Sequence, residues 1–256
     1  MRTPTANNTP AQATMLRANA IDPTDDTTTH DGKKLRDVLL IALTIASGAV
    51  DAISYFGLGK TFSAFMSGNI VFLGFGIANL SGPAVLPVIV ALSMFTAGAY
   101  LGLRFWTLRS HEYGLWTSTA SVLLVLTAIA EAAFMALWVQ TAGHPSTIIT
   151  DVLVALFSLA MGIQTAAVRS LGVQGVFTTA ATFTLVAFGG VFARARPSSE
   201  MPRLVGVLVG LVVGAICGGL LFLHARSYAP ILPLAITVLV ILAGLVGLRP
   251  RLQSPS

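Results

Sequence analysis

Charge is what this chain has least of: 10% of its 256 residues are Asp, Glu, Lys or Arg. A soluble domain of this size carries about a quarter. The shortage argues against a water-solvated surface. The single cysteine, Cys217, excludes an internal disulfide or a cysteine metal cluster. Lying in a Gly-rich apolar run, it reads as a small packing residue. None of the four histidines lies within four residues of another, and H-E-x-x-H is absent, so no metal site is expected. There is no Walker A loop, no G-x-S-x-G and no G-x-S-G. These absences predict neither an enzyme nor a bound cofactor. The pI of 9.9 suggests nucleic acid at first sight. The basic residues, however, flank apolar runs instead of clustering on a polar face, so no nucleic-acid partner is expected.

What the chain has instead is apolar length, with 55% hydrophobic residues. Residues 1–32 are Thr-, Asn-, Ala- and Asp-rich without apolar periodicity, and predict a disordered cytoplasmic tail. They lack the apolar centre of a secretory signal. Residues 33–256 read as one integral membrane domain, its partner the lipid bilayer. Apolar runs lie near 38–58, 62–80, 84–106, 116–139, 148–168, 175–193, 204–224 and 230–248. Most reach the roughly 20 residues a membrane span needs.

Charge decides how many cross. Past the tail there are 13 Lys and Arg, and Lys33, Lys34 and Arg36 place the N-terminus in the cytoplasm. With eight crossings, eight of the 13 fall inside and five outside. If runs two and six do not fully cross, only Lys60 and Arg226 fall outside, an 11-to-2 split. Runs two and six are also those interrupted by polar residues and glycine. The expectation is an all-α polytopic bundle of six full spans plus two re-entrant or broken segments, broken near Gly68 and Thr182 and packed at the centre of the bundle, with both termini cytoplasmic.

The halves, about 38–139 and 148–248, resemble each other. Gly48 and Ala52 match Gly162 and Ala166 at a shift of 114; Gly57, Phe62, Val71, Gly74 and Ala78 match Gly172, Phe177, Val186, Gly189 and Ala193 at 115. GAYLG at 98–102 matches GAICG at 214–218. Three spans per half require opposite orientations. An inverted 3+3 repeat with broken helices is a transporter architecture.

Two stretches carry a specific pattern: GAVDAISYFGLGKTFSAFMSGNIVFLG from Gly48, and AMGIQTAAVRSLGVQGVFTTAATFTLVAFG from Ala160. V-D-A followed by M-S-G-N, then M-G-x-Q followed by T-T, resembles the YoaK family of bacterial membrane proteins over about residues 36–248. That family is built on a domain of unknown function. Phe183 and Thr184 depart from its pattern, standing where the second copy often looks like Thr-Gly-Thr. The resemblance implies a polytopic inner-membrane protein and supplies no substrate.

Polar groups inside the apolar runs are the candidate site. Asp51 sits two-thirds along run one, where an ionised carboxylate is costly unless compensated. It suits proton coupling, solute contact, or a hydrogen bond to the N-terminus of a broken helix. A pair with Arg169, which ends run five, is a further option. Ser67, Gly68 and Asn69 interrupt run two, and Asn69 offers a donor and an acceptor to a solute or to a freed carbonyl. Thr178, Thr179, Thr182 and Thr184 are their counterparts in run six. Gln164 and Thr165 lie near the position matching Asp51, so a paired-carboxylate site is not expected. Glu131 in run four reads as a proton carrier, a vestibule residue or a structural bond. Asp151 reads as a helix cap. Gly206, Gly210, Gly214 and Gly218 form a smooth face on run seven, and Gly98 and Gly102 a shorter one on run three; both predict close helix packing, within the chain or in a homo-oligomer.

Two function classes follow. A secondary transporter or channel for a small polar solute fits the inverted repeat and the buried polar groups. A non-transporting membrane scaffold or partner-binding protein fits the glycine faces. A water-accessible cavity beside Asp51 and Asn69 would separate them.

Overall fold

The computed structural model describes residues 23–109, 114–173, 181–193 and 201–248. Its helices are α1 (Pro23–Gly57), α2 (Met66–Ile77), α3 (Val85–Leu108), α4 (Ser118–Gln140), α5 (Thr147–Ser170), α6 (Ala181–Ala193), α7 (Met201–His224) and α8 (Ile231–Gly247), with a 3-10 turn, Arg226–Tyr228, between the last two. Among the described residues, six segments are long and apolar enough to span: His30–Gly57, α3, α4, α5, α7, and Arg226–Gly247, which includes α8. The chain is a polytopic membrane helix bundle. α1 begins at Pro23, inside the segment expected to be a disordered tail.

α2 and α6 have 12 and 13 residues, hence lengths of about 18–20 Å against the roughly 30 Å of a hydrocarbon core. Contacts at one end of the bundle show that neither crosses. Gly57, at the end of α1, packs on Trp138 near the end of α4 and on Phe222 near the end of α7. Arg226, just past α7, donates from Nε to the Gly143 carbonyl, just past α4, at 2.7 Å. The ends of α1, α4 and α7 therefore share one side. From the end of α1 to the end of α4 the chain passes α2, α3 and α4. Two full crossings return it to the same side; three would not. The same parity applies to α6 between α4 and α7. At the opposite end, Asp37 of α1 pairs with Arg203 in the first turn of α7 at 3.6 Å.

The bundle repeats its own packing. α1 lies against α7 and α8, while α5 lies against α3 and α4; α2 rests on α3 as α6 rests on α7; α4 meets α8. Exchanging the first four helices with the last four reproduces the pattern, so the repeat seen in the sequence is a repeat of contacts. The three spans of each half give the copies opposite orientations.

Glycine makes these crossings possible. A Cβ on Gly48 would collide with the Leu211 backbone of α7, and one on Gly162 with the Phe95 backbone of α3. In return, a Cβ on Gly214 would collide with the Ile45 backbone, and one on Gly98 with the Leu159 backbone. Gly206 and Gly210 face Ile41, Gly218 faces Ala49, and Gly102 faces Ala166. The glycine face of α7 thus packs within the chain, against α1. Dispersion contacts between backbones this close replace the hydrophobic drive that lipid does not supply.

Candidate functional site

The loop between α1 and α2 is where a carboxylate and an amide organise bare backbone. α1 ends at Gly57, and Gly59 and Lys60 take left-handed conformations, with φ of 77° and 64°. The chain then runs irregularly to Met66. Its free N–H groups converge on Asp51: Oδ1 accepts from Ser63 at 3.0 Å, Ala64 at 2.7 Å and Phe65 at 3.3 Å. Three successive N–H groups around one oxygen form an anion nest occupied by the chain's own side chain. These residues lead directly into α2, so the half-buried carboxylate also sits at the positive end of a helix dipole. No ion pair joins Asp51 to Arg169, which is exposed in the last turn of α5.

Asn69 closes the same loop. Its Oδ1 accepts from Phe62 N–H at 3.1 Å, and its Nδ2 donates to the Phe62 carbonyl at 2.7 Å. It is fully buried and satisfies both backbone groups of one residue. The Ser54 and Ser63 hydroxyls meet at 2.8 Å, adding a second tie from α1 to the loop. The Phe62 ring stacks between Tyr55 of α1 and Phe72 of α2, with centroids 5.2 and 5.6 Å away. Polar bonds fix the backbone while rings seal the outside.

This placement corrects two expectations. The breaks were expected near Gly68 and Thr182, but Gly68 lies in the first turn of α2, and the irregular backbone precedes it. Thr182 likewise lies in the first turn of α6, exposed. Thr178 and Thr179 fall outside the described residues. The segments were also expected at the centre of the bundle. α2 instead packs chiefly on α3 and exposes Ile70, Val71, Phe75 and Ile77, a surface suited to lipid. Of its polar residues, Asn69 is buried and turns back on Phe62 of its own loop, while Ser67 is exposed.

The structure therefore brings Asp51, Ser67, Gly68 and Asn69 to one place. Gln164 and Thr165 lie on α5. Gln164 is buried where α5 crosses α1, with Nε2 donating to the Leu43 carbonyl at 3.3 Å. Thr165 Oγ1 bonds back to the Met161 carbonyl at 2.7 Å, the usual refuge of a helical threonine. Asp151 does not cap α5. That helix starts earlier, at Thr147, and its N-cap residue is Ser146, leaving Asp151 a full turn inside.

Of the readings of Glu131, the vestibule is the one the structure contradicts. It is completely buried, and neither carboxylate oxygen has a hydrogen-bond partner, so it faces no open vestibule. Thr237 of α8 stands opposite, its hydroxyl approaching the carboxylate without meeting hydrogen-bond geometry. Thr237 and Ser47, both fully buried, were not singled out from the sequence. A lone threonine in the otherwise apolar run 231–247 was the available signal. Among the described residues, no group of three His, Cys, Asp or Glu side chains could hold a metal ion.

A family model described as "Protein of unknown function (DUF1275)" matches residues 39–244. Among curated proteins, the UPF0700 transmembrane protein YoaK of Bacillus subtilis is 35% identical over 150 residues, covering 59% of this chain. The match spans 64% of that relative's length. No solved structure matches the chain.

Proposed function

The chain belongs to the DUF1275 family, and we propose that it is a secondary transporter or channel for a small polar solute. In this reading it sits in the bacterial cytoplasmic membrane with both termini in the cytoplasm, as the 11-to-2 charge split suggests. The observation that carries the proposal is the half-helix α2, which stops short of crossing and begins at a loop held by Asp51 and Asn69. A dipole end inside the membrane beside an ionisable side chain is how transporters of inverted-repeat design present a solute site. α6 on α7 supplies the counterpart in the other half. The solute would contact the Asp51 and Ser67 end of the loop, and protonation of Asp51 would loosen the nest and couple movement to protons.

The test begins with thermal protection of the purified protein by a panel of small polar solutes. Flux into proteoliposomes follows with any that protect. Asp51→Asn keeps the oxygen that the nest needs and should fold, but lose pH-dependent flux. A folded variant with unchanged pH dependence removes Asp51 from coupling. Absence of both protection and flux removes the transporter reading altogether.

One observation favours the second reading, a non-transporting scaffold. Oδ1 of Asp51 and both ends of Asn69 are engaged by the chain's own backbone, as fold-fixing groups would be. A scaffold would show no solute protection and would copurify with one membrane partner in fixed ratio.

A further inference from the structure

The centre of the bundle holds a second polar system, separate from the α2 loop. Two apolar clusters fill the interior. One contains Leu43, Leu124, Ile163 and Val240; the other contains Val50, Phe134, Phe157 and Met161. On α1, α4 and α5 the polar residues lie near where one cluster gives way to the other, with Ser47 on α1, Thr127 and Glu131 on α4 and Gln164 on α5, while Thr237 lies on α8 among residues of the first cluster. All five are 0% exposed. Thr127 ties α4 to α5 through the Ala160 carbonyl at 3.4 Å, and Gln164 ties α5 to α1. Glu131 and Gln164 lie one turn beyond the Thr127–Ala160 contact in opposite directions, because α4 and α5 run antiparallel, and Ser47 lies one turn along α1 from Leu43.

This belt has oxygen atoms to spare. Ser47 Oγ, both oxygens of Glu131, Gln164 Oε1 and Thr237 Oγ1 have no hydrogen-bond partner. A buried helical hydroxyl ordinarily bonds back to its own helix, as Thr44 and Thr165 do here. A buried carboxylate is ordinarily paired. Among the described residues, no fixed cation is placed to do this. α8 has no ionisable residue. α5 carries Asp151 and Arg169 towards opposite ends, the arginine exposed. α3 offers Tyr100 and Arg104, both exposed. The 3-10 turn offers exposed Tyr228, and Arg226, which is committed to Gly143 and the Phe222 ring.

We propose that Glu131 is the seat of a small monovalent cation, a proton or a sodium ion, held at the centre of the membrane domain with help from Thr237. Both cations answer the same need, neutralising one carboxylate in a space without a basic side chain. Sodium is a hard cation and would draw on the Thr237 hydroxyl oxygen beside the carboxylate. A proton would make Glu131 a donor towards Thr237. The inference stands on burial and missing partners, and not on the solute reading.

The test uses the full chain in lipid nanodiscs and reads binding rather than transport. One arm measures equilibrium binding of radiolabelled sodium; the other records the infrared carbonyl stretch of protonated carboxylic acids in H2O and D2O. Wild type should bind about one sodium per chain or show a protonated-acid band, and Glu131→Gln should lose whichever is present. Should Glu131→Gln fail to fold, Thr237→Val carries the test. It retains the side-chain shape and should weaken sodium affinity several-fold or shift the acid band. Wild-type protein without bound sodium whose acid band is identical to that of Glu131→Gln overturns the proposal. So does a signal that neither substitution alters. Failure of every solute-flux assay would leave this result untouched.

Discussion

Asp51 stabilises three backbone donors with one oxygen, and that concentration makes it the residue most sensitive to chemistry rather than shape. Charge-assisted hydrogen bonds contribute about 1.5–3 kcal/mol each, and buried donors left without an acceptor cost a similar amount. Asp51→Ala should therefore destabilise the protein by on the order of 3 kcal/mol, and Asp51→Asn by about 1–2 kcal/mol, since the amide oxygen still accepts. Denaturant unfolding in mild detergent measures both. An Asp51→Ala protein as stable as wild type would mean that the nest contributes nothing. Asn69→Ala strips Phe62 of both partners and should cost about 1–3 kcal/mol, with faster amide exchange confined to residues 60–65. The importance of Asp51 and Asn69 was legible because a carboxylate and an amide stand out in apolar runs. Their partners were not, because backbone N–H and C=O groups are present at every position and leave no mark in a sequence. Ser47 and Thr237 left only a faint mark, because single hydroxyls in membrane helices normally bond back to their own carbonyls.

At the scale of elements, the decisive quantity is how closely two helix axes approach, and glycine sets it. Gly214 of α7 lies against the Ile45 backbone and Gly48 of α1 against the Leu211 backbone, so side chains at either position must push α1 and α7 apart. Gly214→Leu should abolish the folded state or cost more than about 3 kcal/mol, the scale of overpacking a close-packed interior. Gly162→Leu should cost a comparable amount, because α5 and α3 repeat the same crossing. Gly74 is the control: nothing lies within 4 Å of where its Cβ would be. Gly74→Ala should be neutral or stabilise by up to about 1 kcal/mol. Equal losses at Gly74 and Gly214 would break the link between glycine and packing. Spacing of four residues announced the glycine face, but no periodicity says which helix covers it; a smooth face records only that something comes near. The same gap misplaced α2. Polar residues at its start were read as facing the bundle centre, whereas Asn69 turns back on its own loop and the apolar remainder faces outwards.

At the scale of the whole molecule, orientation in the membrane follows from parity and charge together. Contacts among Gly57, Trp138, Gly143, Phe222 and Arg226 place the ends of α1, α4 and α7 on one side. Among the described residues, that side carries Lys60 and Arg226, while the other end gathers Arg36 and Arg203 around Asp37. Basic residues are retained in the cytoplasm, so the Arg226 end should face outwards. The expected outcome is specific. In a Cys217→Ala background, Ser146→Cys, exposed before α5, should react with an impermeant maleimide added to intact cells. Thr107→Cys, exposed at the end of α3, should react only after the membrane is opened. Reversed accessibility would invert the molecule and refute the charge argument while leaving the six-span count intact. Labelling of both sites from the same side would refute the count itself, because α4 alone separates them. The two outcomes test different physics: the first tests retention of positive charge, the second whether one 23-residue apolar helix crosses the membrane.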